Sequence, residues 1–245
     1  MARNQTQRPP TVSTLPTLGE RLIVETSRHG LDPRLLLPPA ALAVLLLGLG
    51  QDHAAGLELI AASPAPAQTV QQALVSAGEE FGYLTGALDP LTRLLTLEAS
   101  AGDHVDRAVA AILRVMATAG LPVLAEHPLI AGDLLGPLYT AVMAPGDRTA
   151  RGAFYTPATL AQLLGALTGL PRSGEAVSDL CSGTGGLVLA LIRAMRAAGR
   201  VPELVHWHLQ DLDGLALALA GVQLAAHGMP SVTLTHGNSL AQVAS

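Results

Sequence analysis

Ala176-Val177-Ser178-Asp179-Leu180-Cys181-Ser182-Gly183-Thr184-Gly185-Gly186 is the stretch on which the reading of this 245-residue chain turns. Residues 176–180 predict a short strand. A glycine-rich turn follows, and then an apolar helix from about Gly185 to Ala198. Small residues at such a turn let a ligand approach the backbone, and the helix N-terminus offers free N–H groups to it. An ordinary tight strand–helix connection is the alternative reading of the turn by itself. It is not a P-loop, because no Lys follows the glycines.

Downstream the pattern repeats. Leu204 to Leu209 predicts a second strand, Asp213 to His227 a helix stopped by Gly228, and Val232 to Thr235 a third strand. Strand, helix, strand, helix, strand with short connections is the pattern of a parallel α/β sheet. Upstream, Thr156 and Pro157 are N-cap and first residue of a helix running to Leu167. The loop Pro145-Gly146-Asp147 marks a change of character, and everything from about residue 19 to it reads as helices. In Asp103 to Ala119, Val105, Ala108, Val109, Ile112, Leu113 and Met116 recur at helical spacing, with Gly120 and Pro122 as stop. Ala67 to Leu88 and Asp133 to Met143 are further helices. The apolar run Leu35 to Gly50 falls short of a bilayer span and is interrupted by Pro38-Pro39, so it reads as a buried helix. The expected organisation is a disordered tail at 1–18, a helical N-terminal domain at 19–145 and an α/β domain at 146–245.

Composition narrows the possibilities. With 49% hydrophobic and 13% charged residues the chain is a folded one, and with 2% aromatics its core rests on Leu, Ala and Val. All 14 basic residues are Arg, the net charge is -5, and no basic stripe is visible, which excludes strong autonomous DNA binding. Cys181 is the one cysteine, so neither an intrachain disulfide nor a cysteine-rich metal site can form. Met1 to Pro10 lacks the apolar core of a secretion signal, and a cytoplasmic protein without a membrane segment is expected.

Further positions bear on chemistry. An acid at the end of the second strand of a nucleotide-type α/β fold accepts hydrogen bonds from ribose hydroxyls, and Asp211 stands there. Its distance from the glycine-rich turn exceeds the usual ~20 residues. Either Asp211 or Asp213 can instead cap the next helix; we assign the cap to Asp213 and binding to Asp211. His206 and His208 flank Trp207 on an alternating strand and read as structural residues rather than metal ligands. Cys181 reads as a small loop residue, and Glu79-Glu80 as a solvated helix face.

Gly152-Ala153-Phe154-Tyr155-Thr156-Pro157 resembles the G-x-F/Y-x-T-P segment of adenine-specific DNA methyltransferases, the modification subunits of type I restriction systems and their relatives. Four more blocks follow the family's order. Asp133-Leu134-Leu135-Gly136-Pro137-Leu138-Tyr139 resembles its D-x-L-G-x-x-Y helix, and Asp179 to Gly186 its D-P-x-x-G-T-G-G cofactor loop. Leu209-Gln210-Asp211-Leu212-Asp213 looks like the next block, and Gly237-Asn238-Ser239-Leu240 is similar to G-D-S-L. The resemblance covers residues 133–240; residues 1–132 carry no specific motif.

The resemblance implies a class I methyltransferase sheet, Rossmann-like and only partly present, that binds S-adenosyl-L-methionine and serves methyl transfer to N6 of adenine in DNA. Phe154, Tyr155, Thr156, Asp179, Cys181, Ser182, Gly183, Thr184, Gly185, Asp211 and Asn238 are the implied cofactor residues, with Tyr155 and Thr156 at the methionine end. Two departures matter less than a third. Leu180 replaces the family's Pro, and Asn238 replaces an Asp used near the cofactor adenine, keeping hydrogen-bonding capacity with an altered donor pattern. The third is the family's catalytic Asn/Asp-Pro-Pro-Tyr/Phe, which bonds the target amino group and stacks on the flipped adenine. No Asn-Pro-Pro or Asp-Pro-Pro occurs in residues 1–245, so no residue here is assigned a catalytic role. The expectation is a chain inactive by itself, working on DNA with a complementary chain or subunit, or as a homo-oligomer. The alternative is a non-catalytic subunit or remnant acting through protein association.

Overall fold

The computed structural model describes residues 14–50, 52–98, 102–119, 121, 124, 132–143, 163, 167 and 169–241. Helices come first: α1 (Thr14–Arg28), α2 (Leu37–Gly48), α3 (His53–Ala61), α4 (Pro66–Glu80), α5 (Asp89–Leu97), α6 (Asp103–Ala117) and α7 (Leu135–Val142). Then β1 (Ala176–Asp179), α8 (Gly186–Ala197), β2 (His206–Asp211), α9 (Gly214–Ala226) and β3 (Val232–His236) alternate. The three strands are parallel in the order β1-β2-β3, with Ala176 opposite His206 and Trp207 opposite Val232. The fold is thus helix-rich with a small parallel α/β sheet.

Several boundaries differ from the sequence reading. Helix α1 begins at Thr14, inside the segment expected to be a disordered tail to residue 18. Pro38 and Pro39 do not interrupt the apolar run. They lie in the first turn of α2, where backbone N–H groups have no intrahelical partner to lose, and Leu37 to Leu45 of that helix are buried. Among the described residues no single helix is long and apolar enough to cross a membrane. The helix expected over Ala67 to Leu88 stops at Glu80. A 3-10 turn at Gly82–Leu84 follows, closed by the Thr85 hydroxyl donating to the Gly78 carbonyl at 2.7 Å and burying Leu84 completely. The second strand starts two residues later than Leu204. Pro202–Leu204 is a 3-10 turn, held because the buried Trp207 indole N–H donates to the Pro202 carbonyl at 3.1 Å. The predicted helix from Pro157 to Leu167 lies outside the described residues except at Leu163 and Leu167, and so does the expected boundary near residue 145.

Two apolar cores meet at α9. Leu217, Ala220 and Leu224 pack with Val188, Ile192 and Met195 of α8 over Trp207 and Leu209 of the sheet. Ala216, Ala218, Leu219, Val222 and Ala225 join the core built by α1 to α7. Being apolar all round, α9 is buried on both sides, as such a helix must be. The opposite face of the sheet is polar. His206 pairs with the hydroxyls of Ser231 (2.7 Å) and Thr233 (3.1 Å), and His208 with that of Thr235 (3.1 Å). Both histidines are thus hydrogen-bonded to hydroxyls of β3 and the residue before it.

Candidate cofactor site

At the C-terminal ends of the strands the loop after β1 meets one carboxylate. Asp211 ends β2. Its Oδ2 accepts from the Gly183 N–H at 2.7 Å and its Oδ1 from the Asp213 N–H at 2.8 Å. The Asp211 carbonyl accepts from the Gly237 N–H at 3.0 Å, which ties the turn after β3 to the same point. The loop bends tightly: Gly183 and Gly185 have φ of 53° and 87°, a region glycine reaches without steric cost. The Gly185 N–H donates to the Ser182 carbonyl at 2.8 Å, and the Ser182 N–H donates to the Gln210 carbonyl at 3.0 Å. A Cβ on Gly185 would stand 3.3 Å from the Ala220 Cβ, so loop and α9 are in close contact there. A Cβ on Gly183 would meet no described atom within 4 Å.

Asp179 ends β1, and its Oδ1 accepts from the Cys181 N–H at 3.2 Å. Burial pushes its carboxyl above the usual range against that hydrogen bond, and the neighbouring Asp211 carboxylate pushes it further. Cys181 is exposed. Ser182 and Thr184 are buried, and the Ser182 hydroxyl has no hydrogen-bond partner among the described residues. Asn238 is exposed, and its Oδ1 accepts from the Leu240 N–H at 3.0 Å. Asp213 caps α9 as expected, accepting from the Leu215 and Ala216 N–H groups at 2.9 and 3.2 Å. Phe154, Tyr155 and Thr156 lie outside the described residues.

Three features were not anticipated. Leu212, next to Asp211, is 63% exposed, a large apolar side chain held beside the carboxylate while its carbonyl bonds the His236 ring at 3.0 Å. The Tyr139 hydroxyl of α7 donates to Asp213 Oδ2 at 2.7 Å. Gln223, on α9, bonds both the loop and the start of α7. The signal for Gln223 was available: it is the one polar side chain in Gly214–Ala226.

Asp211 is not used up by its two backbone donors. A carboxylate offers about four acceptor directions, and the side chain is half-buried at the open end of the sheet. The site therefore combines an acceptor, a glycine loop on a helix N-terminus and an exposed apolar side chain, which together can hold a nucleoside-like ligand.

One similar solved structure is the methyltransferase subunit of a type I restriction-modification system from Streptococcus thermophilus, 17% identical, with a TM-score of 0.45 over 93% of this chain and 58% of that one. This chain therefore spans less than two thirds of that protein's length. No curated protein matches the sequence. Residues 131–244 match the model of the N-6 DNA methylase family.

Proposed function

We propose that residues 146–245 bind S-adenosyl-L-methionine at the C-terminal ends of β1 to β3, as the cofactor half of an adenine-specific DNA methyltransferase. The observation that carries this is Asp211, whose carboxylate sits under the Cys181–Gly185 loop with acceptor capacity to spare. The residues present fit the cofactor. Asp211 would take the ribose hydroxyls. No described atom crowds Gly183, where the chain linking ribose to methionine would pass, and the buried Ser182 hydroxyl, without a hydrogen-bond partner among the described residues, would meet a polar group. Leu212 would cover the adenine face, with Asn238 near its edge. When bound, the cofactor supplies a methyl group on a positively charged sulfur. The two carboxylates Asp179 and Asp211 favour that charge, and the loop holds the ligand in one orientation.

Calorimetry with S-adenosylhomocysteine tests this reading. Asp211→Ala removes a charged acceptor worth ~1.5–3 kcal/mol, so binding weakens by at least tenfold. Asp213→Ala weakens it less. Absence of wild-type binding at millimolar ligand would overturn the cofactor reading. Loss of binding in Asp213→Ala with retention in Asp211→Ala would reverse the two roles.

Residues 1–245 by themselves do not methylate DNA in this reading, because they contain no group to hold an extruded adenine. Cofactor-dependent label incorporation at N6 by this polypeptide alone would contradict that. A second reading, action through association with a protein partner, draws support from β1. This strand pairs only with β2 among the described residues, and Ala176 and Ser178 on it are exposed. A free strand edge invites another strand. Light scattering at rising concentration tests it; a monodisperse monomer at tens of micromolar, with the Ala176–Asp179 amides protected from exchange, would set this second reading aside.

A further inference from the structure

Gln223 is completely buried in an otherwise apolar helix, and its carboxamide uses its whole hydrogen-bonding capacity. Oε1 accepts from the Leu134 N–H (2.9 Å), which it shares with the Gly132 carbonyl, and from the Leu135 N–H (3.2 Å), both at the start of α7. Nε2 donates to Asp133 Oδ1 (3.0 Å) and to the Thr184 carbonyl (2.8 Å) in the candidate cofactor loop. A carboxamide has two donor hydrogens and two acceptor lone pairs, so turning the group over would set all four contacts like against like. Its orientation is fixed by its partners.

Asp133 completes the arrangement. It is buried, and its Oδ1 also accepts from the Gly136 N–H at 2.7 Å. Its Oδ2 lies where a Cβ on Gly136 would collide with it and 3.1 Å from where a Cβ on Gly186 would stand. The carboxylate thus fits between the N-termini of α7 and α8, where helix dipoles favour negative charge and only glycine leaves room. A Cβ on Gly136 would also stand 2.8 Å from the Thr184 hydroxyl oxygen. The start of α7, the loop residue Thr184 and the first turn of α8 therefore touch one another through two buried polar side chains and two glycines.

We infer that Gln223 is a positioning residue that couples the helical layer to the cofactor loop. The loop keeps its shape only while the 132–136 segment is docked on α9. Anything that shifts α7, such as a partner bound to the helical layer, then loosens the site without touching it. This rests on the reading of residues 179–186 as the cofactor loop for its effect on binding, but not for its effect on loop order.

The test uses the 245-residue chain with Gln223→Met and Gln223→Glu. Hydrogen exchange without ligand reads loop order, and S-adenosylhomocysteine calorimetry reads affinity. In Gln223→Met, protection of the 182–186 amides falls at least tenfold and affinity falls at least tenfold, while the amides of α3, α4 and α6 keep wild-type protection. Gln223→Glu retains the acceptor for Leu134 and Leu135 but cannot donate to Thr184 while ionised. A buried carboxyl facing Asp133 binds its proton tightly, so loop protection and affinity in this variant recover from pH 7.5 to pH 5.5. Asp133 faces residue 223 directly, Asp211, Asp213 and Tyr139 lie in the same network, and the His227 ring stands against Gly132; the wild-type change over that range is the baseline. Wild-type loop protection and affinity in Gln223→Met would overturn the inference. So would a Gln223→Glu profile parallel to wild type, which also decides the matter if the Met variant does not fold. If the wild type binds no ligand, the cofactor reading fails while loop protection still decides the coupling.

Discussion

Asp179 and Asp211 end neighbouring strands, yet their surroundings differ. Asp211 receives two backbone N–H groups, whereas Asp179 receives one and is desolvated beside a like charge. A carboxyl whose folded pKa is raised makes the folded state hold its proton more tightly than the unfolded chain does. Its ionisation therefore costs stability above the folded pKa, and the cost vanishes below the unfolded value near ~3.9. Asp179→Asn keeps an oxygen for the Cys181 N–H and removes the charge. It should raise the melting temperature at pH 7, with the gain shrinking to nothing as pH falls toward 4. A thermal melt series over that range checks this, and a gain independent of pH would contradict the assigned cause. The same substitution should weaken cofactor binding, a trade between stability and function common at such sites. The strand-end place of Asp211 and the cap at Asp213 were legible in the sequence because capping and strand-end positions follow local rules. Gln223 stood out as the one polar side chain of its helix, but what it bonds was not readable, because its α7 and Asp133 partners lie 88 to 90 residues away.

Among the elements, α9 carries the most constraints. Its N-terminus is capped by Asp213, whose other oxygen takes the Tyr139 hydroxyl. Tyr139→Phe should cost ~1 kcal/mol through that lost bond, and Asp213→Ala more, since the cap alone is worth ~1 kcal/mol. Chemical denaturation measures both. Its C-terminal end meets α2 so closely that a Cβ on Gly48 would collide with the Ala226 backbone. Gly48→Ala ordinarily favours a helix by ~1 kcal/mol. Here overpacking should override that preference and leave a net loss, within the ~1–3 kcal/mol typical of a crowded core. A stabilised Gly48→Ala variant would show that the two helices can part without cost. Helix existence was readable throughout, since apolar residues recur at helical spacing in α6 and α7. Boundaries were less so. The stop of α4 and the start of β2 are set by Thr85 bonding Gly78 and by Trp207 bonding Pro202, side-chain contacts that periodicity does not encode.

At the scale of the whole molecule, the alternation His206-Trp207-His208-Leu209 and Val232-Thr233-Leu234-Thr235 decides which side of the sheet is apolar. A parallel sheet covered on both faces reads as a continuous apolar run; here one face carries Ser, Thr and His that bond one another. That asymmetry was visible in the sequence, as was the strand–helix alternation. The union of the two halves was not, because an all-apolar helix looks the same whether it covers a sheet alone or lies between two layers. A polypeptide of residues 146–245 should therefore fail to fold by itself: Ala218, Leu219, Val222 and Ala225 would face water. Circular dichroism and gel filtration of that fragment test this, and a stable monomer with a cooperative melt would refute it. The tight meeting of Gly48 with Ala226 then has a consequence for how such chains can be recombined. A chimaera joining this sheet to another helical layer is limited by shape rather than by linker length. The donor must bring a backbone bare of side chain opposite Ala226, and a groove cut for Leu219 and Val222, or the graft will not seat.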